Sequence, residues 1–478
     1  MTSVAVLKES SLDFPSVNVV QQQVRYYPNN NLAAHILGTV GIIYREEYEA
    51  LKGKGYSLDA VIGKQGVEHT FEDYLRGTDG LRSITRDLDG KEHIVEKKQP
   101  IPGNQISLTL DLNVQSVMEQ KLEETILRIQ ANEAPDCNAG AAVCLDVNSG
   151  EILAIASYPS YNPANFNKSY DTLLKQNGNP LWNRALAGTY EPGSTFKMLT
   201  AIAALEEGVI TPEDEILDEG VYKYYDDYQP VCLEWRYGKT HGMVNTELAL
   251  QESCNYYFYE VGRRLGIRSL VQYAEMFGLG SVTGVEIGGE ASGTIASPES
   301  KKKRNETWYD GDTLQAAIGQ SDNLFTPIQL ASYTATIANG GTRYRPHLLK
   351  TVKNSTDGTI IMHVTPTVEE KISLSGNTIS AVKNGMKKVT EEGTAKSAFE
   401  NFEISVGGKT GTAEVTNGSS NGIFVAFAPF DKPEIAIAIV LEHGGHGASA
   451  APIARAVFEA YFENQKVKDL YQPRILLQ

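Results

Sequence analysis

The chain has 478 residues, more than one ordinary domain, so we expect at least two domains and a large hydrophobic core. Its formal net charge of −16 argues against nucleic acid or an anionic membrane surface as a partner, because both carry negative charge. No apolar run reaches the roughly 18 residues that span a bilayer. Its four cysteines are too few for a disulfide framework.

The first part of the chain is polar and rich in loops. Short helical patterns occur at residues 32–37 and 68–76, and no residues here have catalytic spacing. Residues 103–111 alternate like a strand, and apolar residues then recur at helical spacing from Val114 to Ile129. We place a domain boundary just before this strand. The sequence thus predicts a non-catalytic domain at residues 1–104 and a second domain at residues 105–478.

Apolar strands flank a long and mostly helical region of the second domain. Strands from both ends of the domain imply one antiparallel sheet that is assembled from distant sequence and covered by helices, an α/β (α+β) fold. A final amphipathic helix is predicted at residues 452–463. The five predicted strands cover residues 141–146, 152–156, 404–414, 423–428 and 435–441.

A nucleophile is predicted at the start of a buried helix. Pro192 and Gly193 break the backbone just before Ser194, and apolar residues follow without another breaker until Gly208. Lys197 lies one turn further on the same face, where its nitrogen can reach the serine oxygen and apolar neighbours favour its neutral form. Taken alone, this pattern is also typical of a helix N-cap followed by a surface lysine.

Two further short motifs follow at large distances along the chain. Ser253-Cys-Asn255 lies in a helical pattern over residues 246–265, where Ser and Asn are poor choices unless their side chains bind something. Lys409-Thr-Gly-Thr412 occupies a strand entered through two glycines, which often mark the close approach of a ligand. Each motif is weak alone. The ordered set Ser-x-x-Lys, Ser-x-Asn and Lys-Thr-Gly, each on the expected type of element, is far more specific.

With these motifs the sequence resembles the penicillin-binding proteins, and within them the class B high-molecular-mass transpeptidases of the elongation type. The resemblance runs through nearly the whole chain. It includes Arg25-Tyr-Tyr-Pro, His35-Ile-Leu-Gly38, Gly63-Lys-Gln-Gly-Val-Glu68, Leu75-Arg-Gly-Thr-Asp-Gly80, Leu108-Thr-Leu-Asp111, Asn183-Arg-Ala185, Ile318-Gly-Gln320, Thr326-Pro327, Asn339-Gly-Gly341 and Gly393-Thr-Ala395.

The resemblance implies the penicillin-binding transpeptidase fold, with an antiparallel five-stranded sheet covered by helices and an elongated N-terminal pedestal. It also implies acyl transfer from a D-Ala-D-Ala stem peptide, a reaction that requires no cofactor. Ser194 is then the nucleophile and Lys197 its general base. Ser253 passes a proton to the leaving D-Ala, and Asn255 holds the substrate amide and Lys197.

The third motif is expected to bind the substrate. The substrate lies as an extra strand beside Lys409, Thr410, Gly411 and Thr412, and its carboxylate meets Lys409 and the two threonine hydroxyls. The backbone N–H groups of Ser194 and Thr412 form the expected oxyanion hole.

The resemblance also implies partners and a location. The partners are peptidoglycan stem peptides, β-lactams that imitate the D-Ala-D-Ala end, and a cell-wall elongation partner such as a polymerase; the location is the extracytoplasmic face of a bacterial cell membrane. Family members begin with a membrane-spanning helix and an Arg-Gly-x-Ile-x-Asp-Arg-x-Gly-like segment, and this chain has neither. We therefore expect a truncated, soluble form of a membrane-anchored protein.

Two other functions share some of these features. A β-lactamase or β-lactam sensor has the same three motifs, but the large N-terminal part disfavours it. A non-catalytic cell-wall scaffold is disfavoured by the intact motifs.

A metal site is a further hypothesis. Cys232, His241 and Cys254 gather three soft ligands in a short span, and Cys254 is the middle residue of the second motif. With Asp227, which we prefer over Asp226 as the fourth ligand, they would form a closed tetrahedral zinc site.

The spacing of these residues matches no standard zinc-finger pattern. A Cys232–Cys254 disulfide, with His241 an ordinary surface residue, and two free thiols remain as alternatives. The presence of His241 favours the zinc site over the disulfide, because a disulfide between the two cysteines would leave this histidine without a role. Zinc would be structural, and it would help to fix Ser253 and Asn255.

Overall fold

A computed structural model describes residues 24–88 and 92–471, together with Val6. The remainder of the first 23 residues of the predicted N-terminal domain lies outside the described residues. In the part of the chain that the structure describes, no helix is both long enough and apolar enough to cross a membrane.

The helices of the described residues range from single turns to the long helices α5 and α17. They are α1 Ala34–Leu37, α2 Arg45–Leu51, α3 Gly66–Thr70, α4 Glu72–Leu75, α5 Leu112–Asn132, α6 Phe166–Leu173, α7 Arg184–Ala187, α8 Lys197–Glu206, α9 Thr246–Gln251, α10 Asn255–Leu265, α11 Ile267–Met276, α12 Pro298–Lys303, α13 Asp310–Ala317, α14 Pro327–Ala338, α15 Gly376–Glu391, α16 Lys396–Phe399 and α17 Ala451–Tyr471. Short 3₁₀ turns lie at Pro163–Asn165, Gly193–Phe196, Leu233–Tyr237 and Gly447–Ala450.

The strands are short in the N-terminal part and longest in the central sheet. They are β1 Val40–Ile42, β2 Val61–Gly63, β3 Leu81–Arg86, β4 Glu92–Lys98, β5 Gln105–Leu108, β6 Ala139–Asp146, β7 Ile152–Tyr158, β8 Ile216–Asp218, β9 Gly242–Val244, β10 Thr342–Tyr344, β11 Leu349–Lys353, β12 Ile360–His363, β13 Val368–Lys371, β14 Gly407–Ala413, β15 Asn421–Ala428 and β16 Ile435–Glu442.

The central sheet has five antiparallel strands in the order β14-β15-β16-β6-β7. Strands from the two ends of the domain meet in its middle, where Ile437 of β16 lies opposite Cys144 of β6. The predicted fold class and the sheet built from distant sequence are therefore confirmed. The strand that carries the Lys-Thr-Gly motif, β14, lies at one edge of this sheet, where it can accept an additional strand.

Both faces of the central sheet are buried, so its strands read as nearly continuous apolar runs. On one face Ala142, Cys144, Ile437 and Ile439 belong to the same core cluster as Val457 of α17. The residues between them, such as Val143 and Ala438, face the larger cluster that contains α8 and α14. The Ser194 helix α8 lies in this larger cluster, where it packs against the helices α10, α11 and α15, and this burial explains its apolar sequence. The prediction that Cys144 lies in the core is confirmed.

Several small sheets were not predicted. The N-terminal part contains the antiparallel pairs β1–β2 and β3–β4, and the region after Ser194 contains the β8–β9 pair. Their strands lack a clean apolar alternation because both faces are partly exposed; Ile84 and Ile94, which lie opposite each other in β3 and β4, are each more than one third exposed. Sequence periodicity detects strands with one buried face better than strands whose two faces are both partly exposed.

The N-terminal part contacts the second domain at defined points. The backbone N–H of Ala33 donates to Glu119 Oε1 at 2.7 Å, and His35 Nε2 lies 2.7 Å from the carbonyl oxygen of Pro180. The strand β5 pairs with β11 rather than with any strand of the N-terminal part, with Ile106 opposite Val352.

The predicted helix over residues 246–265 is broken. It consists of α9 and α10, and between them Ser253 has a left-handed backbone with φ of 57°. The sulfur of Cys254 then accepts the N–H of Tyr257 and caps the start of α10. The prediction of a continuous helix is wrong because Ser253 and Cys254 form the connection between two helices.

Candidate active site

Ser194 lies in the 3₁₀ turn that leads into α8. Gly193 adopts φ of 52°, which glycine tolerates without strain, and the α-helix proper starts at Lys197. Ser194 is half-buried, whereas the side chain of Lys197 is fully buried. The alternative of a surface lysine is therefore wrong.

Lys197 makes its contacts with the second motif. Its Nζ lies 2.7 Å from the carbonyl oxygen of Ser253, 3.3 Å from Ser253 Oγ and 2.5 Å from Asn255 Oδ1. Among the described residues, Lys197 Nζ forms these hydrogen bonds and none with Ser194 Oγ. Burial lowers the pKa of Lys197 to about 8, so a useful fraction of the amine is neutral near neutral pH.

The left-handed turn at Ser253 explains how one short motif serves this network. It directs both the carbonyl oxygen and the hydroxyl of Ser253 toward Lys197, and Asn255 follows as the first residue of α10. The unusual polar residues that the sequence places here are used for contacts between elements, as we expected, although not from a helix interior.

Lys409 enters the same network from the edge strand β14. Its side chain is fully buried, and its Nζ donates to Ser253 Oγ at 2.9 Å and to the carbonyl oxygen of Thr410 at 3.2 Å. Burial, and secondarily the charge of Lys197, hold the pKa of Lys409 well below its usual range. The Thr410 hydroxyl lies 2.7 Å from the hydroxyl of Thr394. Thr394 was not assigned a role from sequence, although its Gly-Thr-Ala segment carried part of the resemblance.

The Ser194 turn and β14 are in direct contact. A Cβ atom placed on Gly193 would lie 2.7 Å from the carbonyl oxygen of Thr412, and one placed on Gly411 would lie 2.7 Å from that of Pro192. Glycine is required at both positions because the two backbones pass so closely. The three motifs thus converge on one site, at which the predicted residues Ser194, Lys197, Ser253, Asn255, Lys409, Thr410, Gly411 and Thr412 lie.

Glu191 is a further titratable group beside the nucleophile. It is half-buried and lies three residues before Ser194. Burial, and then the carboxylates of Asp322 and Glu414, raise the pKa of Glu191 to about 7. The site therefore contains a carboxyl group that titrates near neutral pH.

A second cluster lies behind the Ser253 turn. Its potential ligand atoms come from Asp218, Cys232, His241 and Cys254, and all lie within 4.8 Å of one another. Cys232 Sγ is 3.8 Å from Cys254 Sγ and 3.5 Å from His241 Nδ1, and Cys254 Sγ is 3.6 Å from Asp218 Oδ2. Both cysteines are buried and free. The disulfide alternative is therefore not formed in this structure.

The carboxylate of this cluster is Asp218 and not Asp227. Asp218 ends β8, opposite Gly242 of β9, so the strand pairing brings it beside His241. Asp227 is exposed in the loop before Cys232 and is no member of the cluster. Choosing Asp227 was wrong because proximity in sequence was used where antiparallel pairing decides proximity in space.

Comparison with known proteins agrees with this architecture. The family model described as "Penicillin binding protein transpeptidase domain" matches residues 140–459, and the one described as "Penicillin-binding Protein dimerisation domain" matches residues 2–108. The chain is 35% identical to the peptidoglycan D,D-transpeptidase MrdA of Acinetobacter baumannii, over 97% of this chain and 70% of that protein.

Two solved structures are similar over most of the chain. Pseudomonas aeruginosa PBP2, in complex with WCK 5153, has a TM-score of 0.79 and 35% identity, covering 93% of this chain and 91% of that one. A chain of a peptidoglycan synthase complex, solved to describe the coordination of polymerization and crosslinking, has a TM-score of 0.81 and 32% identity, covering 92% of this chain and 76% of that one. With the transpeptidase model matching well over half of its length, and with three motifs that meet at one site, this chain belongs to the penicillin-binding protein family.

Proposed function

We propose that this protein is a serine-type D,D-transpeptidase that cross-links peptidoglycan stem peptides through an acyl-serine intermediate and is acylated by β-lactams. The observation that carries the proposal is the buried network in which Lys197 and Lys409 both contact Ser253 beside Ser194. Burial of two lysines costs stability because it desolvates their charged forms, and perturbed ionisable groups of this kind cluster at functional sites.

Acylation begins with a neutral Lys197. Ser194 Oγ forms a bond to the carbonyl carbon of the penultimate D-Ala and gives its proton to Lys197 Nζ. The negative charge that develops on the carbonyl oxygen is stabilised by the backbone N–H groups of Ser194 and Thr412. The contact between the Ser194 turn and β14 keeps these two donors on one side of the substrate.

Departure of the terminal D-Ala requires a proton on its nitrogen. The proton passes from Lys197 through the Ser253 hydroxyl, which lies 3.3 Å from Lys197 Nζ, as the carbon–nitrogen bond breaks. The amine of a neighbouring stem peptide then attacks the acyl-enzyme. Its nitrogen bonds to the acyl carbon and gives a proton to Lys197. The bond between the acyl carbon and Ser194 Oγ then breaks, and Lys197 returns the proton to Ser194 Oγ.

The substrate is bound along β14. This strand is at the sheet edge, so an extended peptide can add to it as a further strand. Lys409 and the hydroxyls of Thr410 and Thr412 receive the terminal carboxylate, and Asn255 holds both Lys197 and the substrate amide.

Covalent labelling tests this function. Penicillin should add once per chain, and mass spectrometry of a proteolytic digest should place it on Ser194; Ser194→Ala should take up no stoichiometric label. A scaffold without catalytic function takes up none in either form. A β-lactamase hydrolyses nitrocefin with many turnovers, whereas a transpeptidase retains the label.

We also propose that the Asp218 cluster binds a structural zinc ion. Tetrahedral coordination with Zn–S of about 2.3 Å and Zn–N of about 2.0–2.1 Å separates two sulfurs by about 3.8 Å, and a sulfur and a nitrogen by about 3.5–3.6 Å. The Cys232–Cys254 and Cys232–His241 distances of 3.8 and 3.5 Å match these values. His241 Nδ1 and Asp218 Oδ2 are 2.7 Å apart, as in a hydrogen bond, and would separate slightly to share an ion.

Such an ion would support the active site without taking part in the chemistry. Cys254 stands between Ser253 and Asn255, so fixing its sulfur fixes both neighbours that contact Lys197. The transpeptidation steps themselves need no cofactor.

The surroundings of the proposed enzyme follow from its substrate. Peptidoglycan lies outside the cytoplasmic membrane, so the protein acts on the extracytoplasmic face. Its similarity to a chain of a peptidoglycan synthase complex supports a polymerase as an elongation partner. We propose that residues 1–104 form the non-catalytic pedestal and residues 105–478 the transpeptidase domain.

A further inference from the structure

The loop after α13 connects the two halves of the proposed oxyanion hole. The carbonyl oxygen of Gly319 accepts the backbone N–H of Gly193 at 2.9 Å, directly before Ser194. One residue later, Gln320 Nε2 donates to the carbonyl oxygen of Thr412 at 3.1 Å. One short loop therefore holds the Ser194 turn with its backbone and the strand β14 with a side chain.

This loop is itself firmly held. The hydroxyl of Thr200 in α8 donates to the carbonyl oxygen of Ala317 at 2.7 Å. Asn323, which is only 1% exposed, donates to the carbonyl oxygens of Ala316 and Gln320 at 3.1 and 3.4 Å. The side chain of Gln320 thus projects from a backbone that is fixed relative to the Ser194 helix.

The approach of this loop leaves no room for a side chain at Gly319. Gly319 has φ of 78°, and a Cβ atom at this position would lie 2.0 Å from the carbonyl oxygen of Gly193. The position of the loop is therefore set by backbone contact, and Gln320 extends that contact to β14.

The bond to the Thr412 carbonyl also orients the Thr412 N–H. In an antiparallel strand the N–H and C=O of one residue point to the same side. A donor that fixes the carbonyl therefore fixes the direction of the N–H that we assign to the oxyanion hole. A carbonyl oxygen has two lone pairs, so an extended substrate can donate to the same oxygen.

We propose that Gln320 is a positioning residue for this reaction: it holds the Thr412 peptide against the Ser194 turn so that the two oxyanion-hole N–H groups converge. The inference rests on the proposed acylation of Ser194. Gln320 acts through the backbone of Thr412, so it should influence the acylation step more than ground-state binding, because the oxyanion exists only after attack.

The test compares the wild type with Gln320→Met and Gln320→Glu by rapid kinetics of penicillin acylation. Saturation curves separate the dissociation constant of the initial complex from the limiting acylation rate. Gln320→Met keeps the length of the side chain without a donor, and it should lower the limiting rate about tenfold while the dissociation constant changes less than twofold. Direct removal of an oxyanion-hole donor costs roughly 10²–10³, and an indirect support should cost less.

The Gln320→Glu variant distinguishes a positioning role from a purely structural one, because only a positioning role makes its relative acylation rate depend on pH. An ionised carboxylate cannot donate to the Thr412 carbonyl, whereas a protonated carboxyl group can. The ratio of its limiting rate to that of the wild type, measured at each pH between 5 and 8, should rise as pH falls. The same ratio for Gln320→Met should stay flat. Gln315→Met, on α13, removes an amide that bonds to the Tyr228 hydroxyl and should acylate like the wild type.

The outcomes distinguish the two proposals. A wild type that takes no label on Ser194 overturns the proposed function and this inference with it. A labelled wild type with an equally fast Gln320→Met, or a Gln320→Glu ratio that does not change with pH, overturns the inference alone. Tighter initial binding with an unchanged limiting rate would also overturn it, since Gln320 would then merely occupy the place of the substrate.

Discussion

Lys197 and Lys409 approach the same hydroxyl oxygen, one from the helix α8 and the other from the edge strand β14. Ser253 Oγ lies 3.3 Å from Lys197 Nζ and 2.9 Å from Lys409 Nζ. Two ammonium groups this close repel each other in a buried site, so loss of one proton is favoured. Burial lowers the pKa of Lys197, and burial together with the charge of Lys197 lowers the pKa of Lys409, so the fold favours a neutral amine at this pair.

Removing the amine of Lys197 should abolish efficient acylation. Lys197→Ala and the better-fitting Lys197→Met should lower the penicillin acylation rate by about 10²–10⁴, the usual contribution of a general base. The fold should persist, because the methionine fills the space of the lysine stem and removes a desolvated charge, which offsets the loss of the hydrogen bonds to Ser253 and Asn255. The rate is measured by stopped-flow acylation and the fold by thermal melting.

Lys383 provides a matched control for this substitution. Its Nζ donates to the carbonyl oxygen of Ala338 at 3.1 Å, and burial also lowers the pKa of Lys383, but it contacts none of the three motifs. Lys383→Met should acylate at the wild-type rate. If Lys197→Ala stays within about threefold of the wild type, the general-base role is wrong.

Acylation should increase with pH through the pKa of Lys197. Burial lowers that pKa to about 8, and only the neutral amine can accept the Ser194 proton, so the rate should rise between pH 6 and 8 and level off above about pH 9. Glu191, with a pKa raised to about 7, ionises in the same range. The Glu191→Gln variant removes that second titration, and its profile should retain the rise near pH 8. A flat profile in this variant would contradict the assignment.

Zinc should be present at about one ion per chain in protein purified without added metal. A chelator should lower both the melting temperature and the acylation rate, because the ion holds the loop of Cys232 against the helix after Ser253. Asp218→Asn should lower the zinc content, while Asp227→Asn, outside the cluster, should retain it. Absence of metal together with two fewer titratable thiols under denaturing conditions would instead establish the disulfide.

The second domain should fold without the N-terminal part. Protein expressed from about residue 103 retains β5, which completes the sheet with β11, and should be soluble and bind penicillin. Truncation removes the hydrogen bond from Ala33 to Glu119, whose carboxylate water can then solvate. Light scattering, circular dichroism and penicillin labelling check this. A shortened chain that loses both its fold and its labelling would place the boundary elsewhere.

The central sheet and the three motifs could be predicted from the amino-acid sequence. Strands β6, β7, β15 and β16 are buried on both faces, and their continuous apolar residues are visible without a structure. The helix after Ser194 was equally clear, because it is mostly apolar and nearly all of its residues are buried. Local composition is informative wherever burial is uniform along an element.

Which side chains meet in the site depends on the tertiary structure. Lys197 was predicted to reach Ser194 along its own helix, whereas its nitrogen bonds to Ser253 and Asn255. The left-handed turn at Ser253 that creates this contact interrupts a sequence whose local periodicity is helical. Asp218 joins the metal cluster through antiparallel strand pairing. Such contacts depend on strand register and single backbone torsions, and neither quantity is encoded in the spacing of residues along one segment.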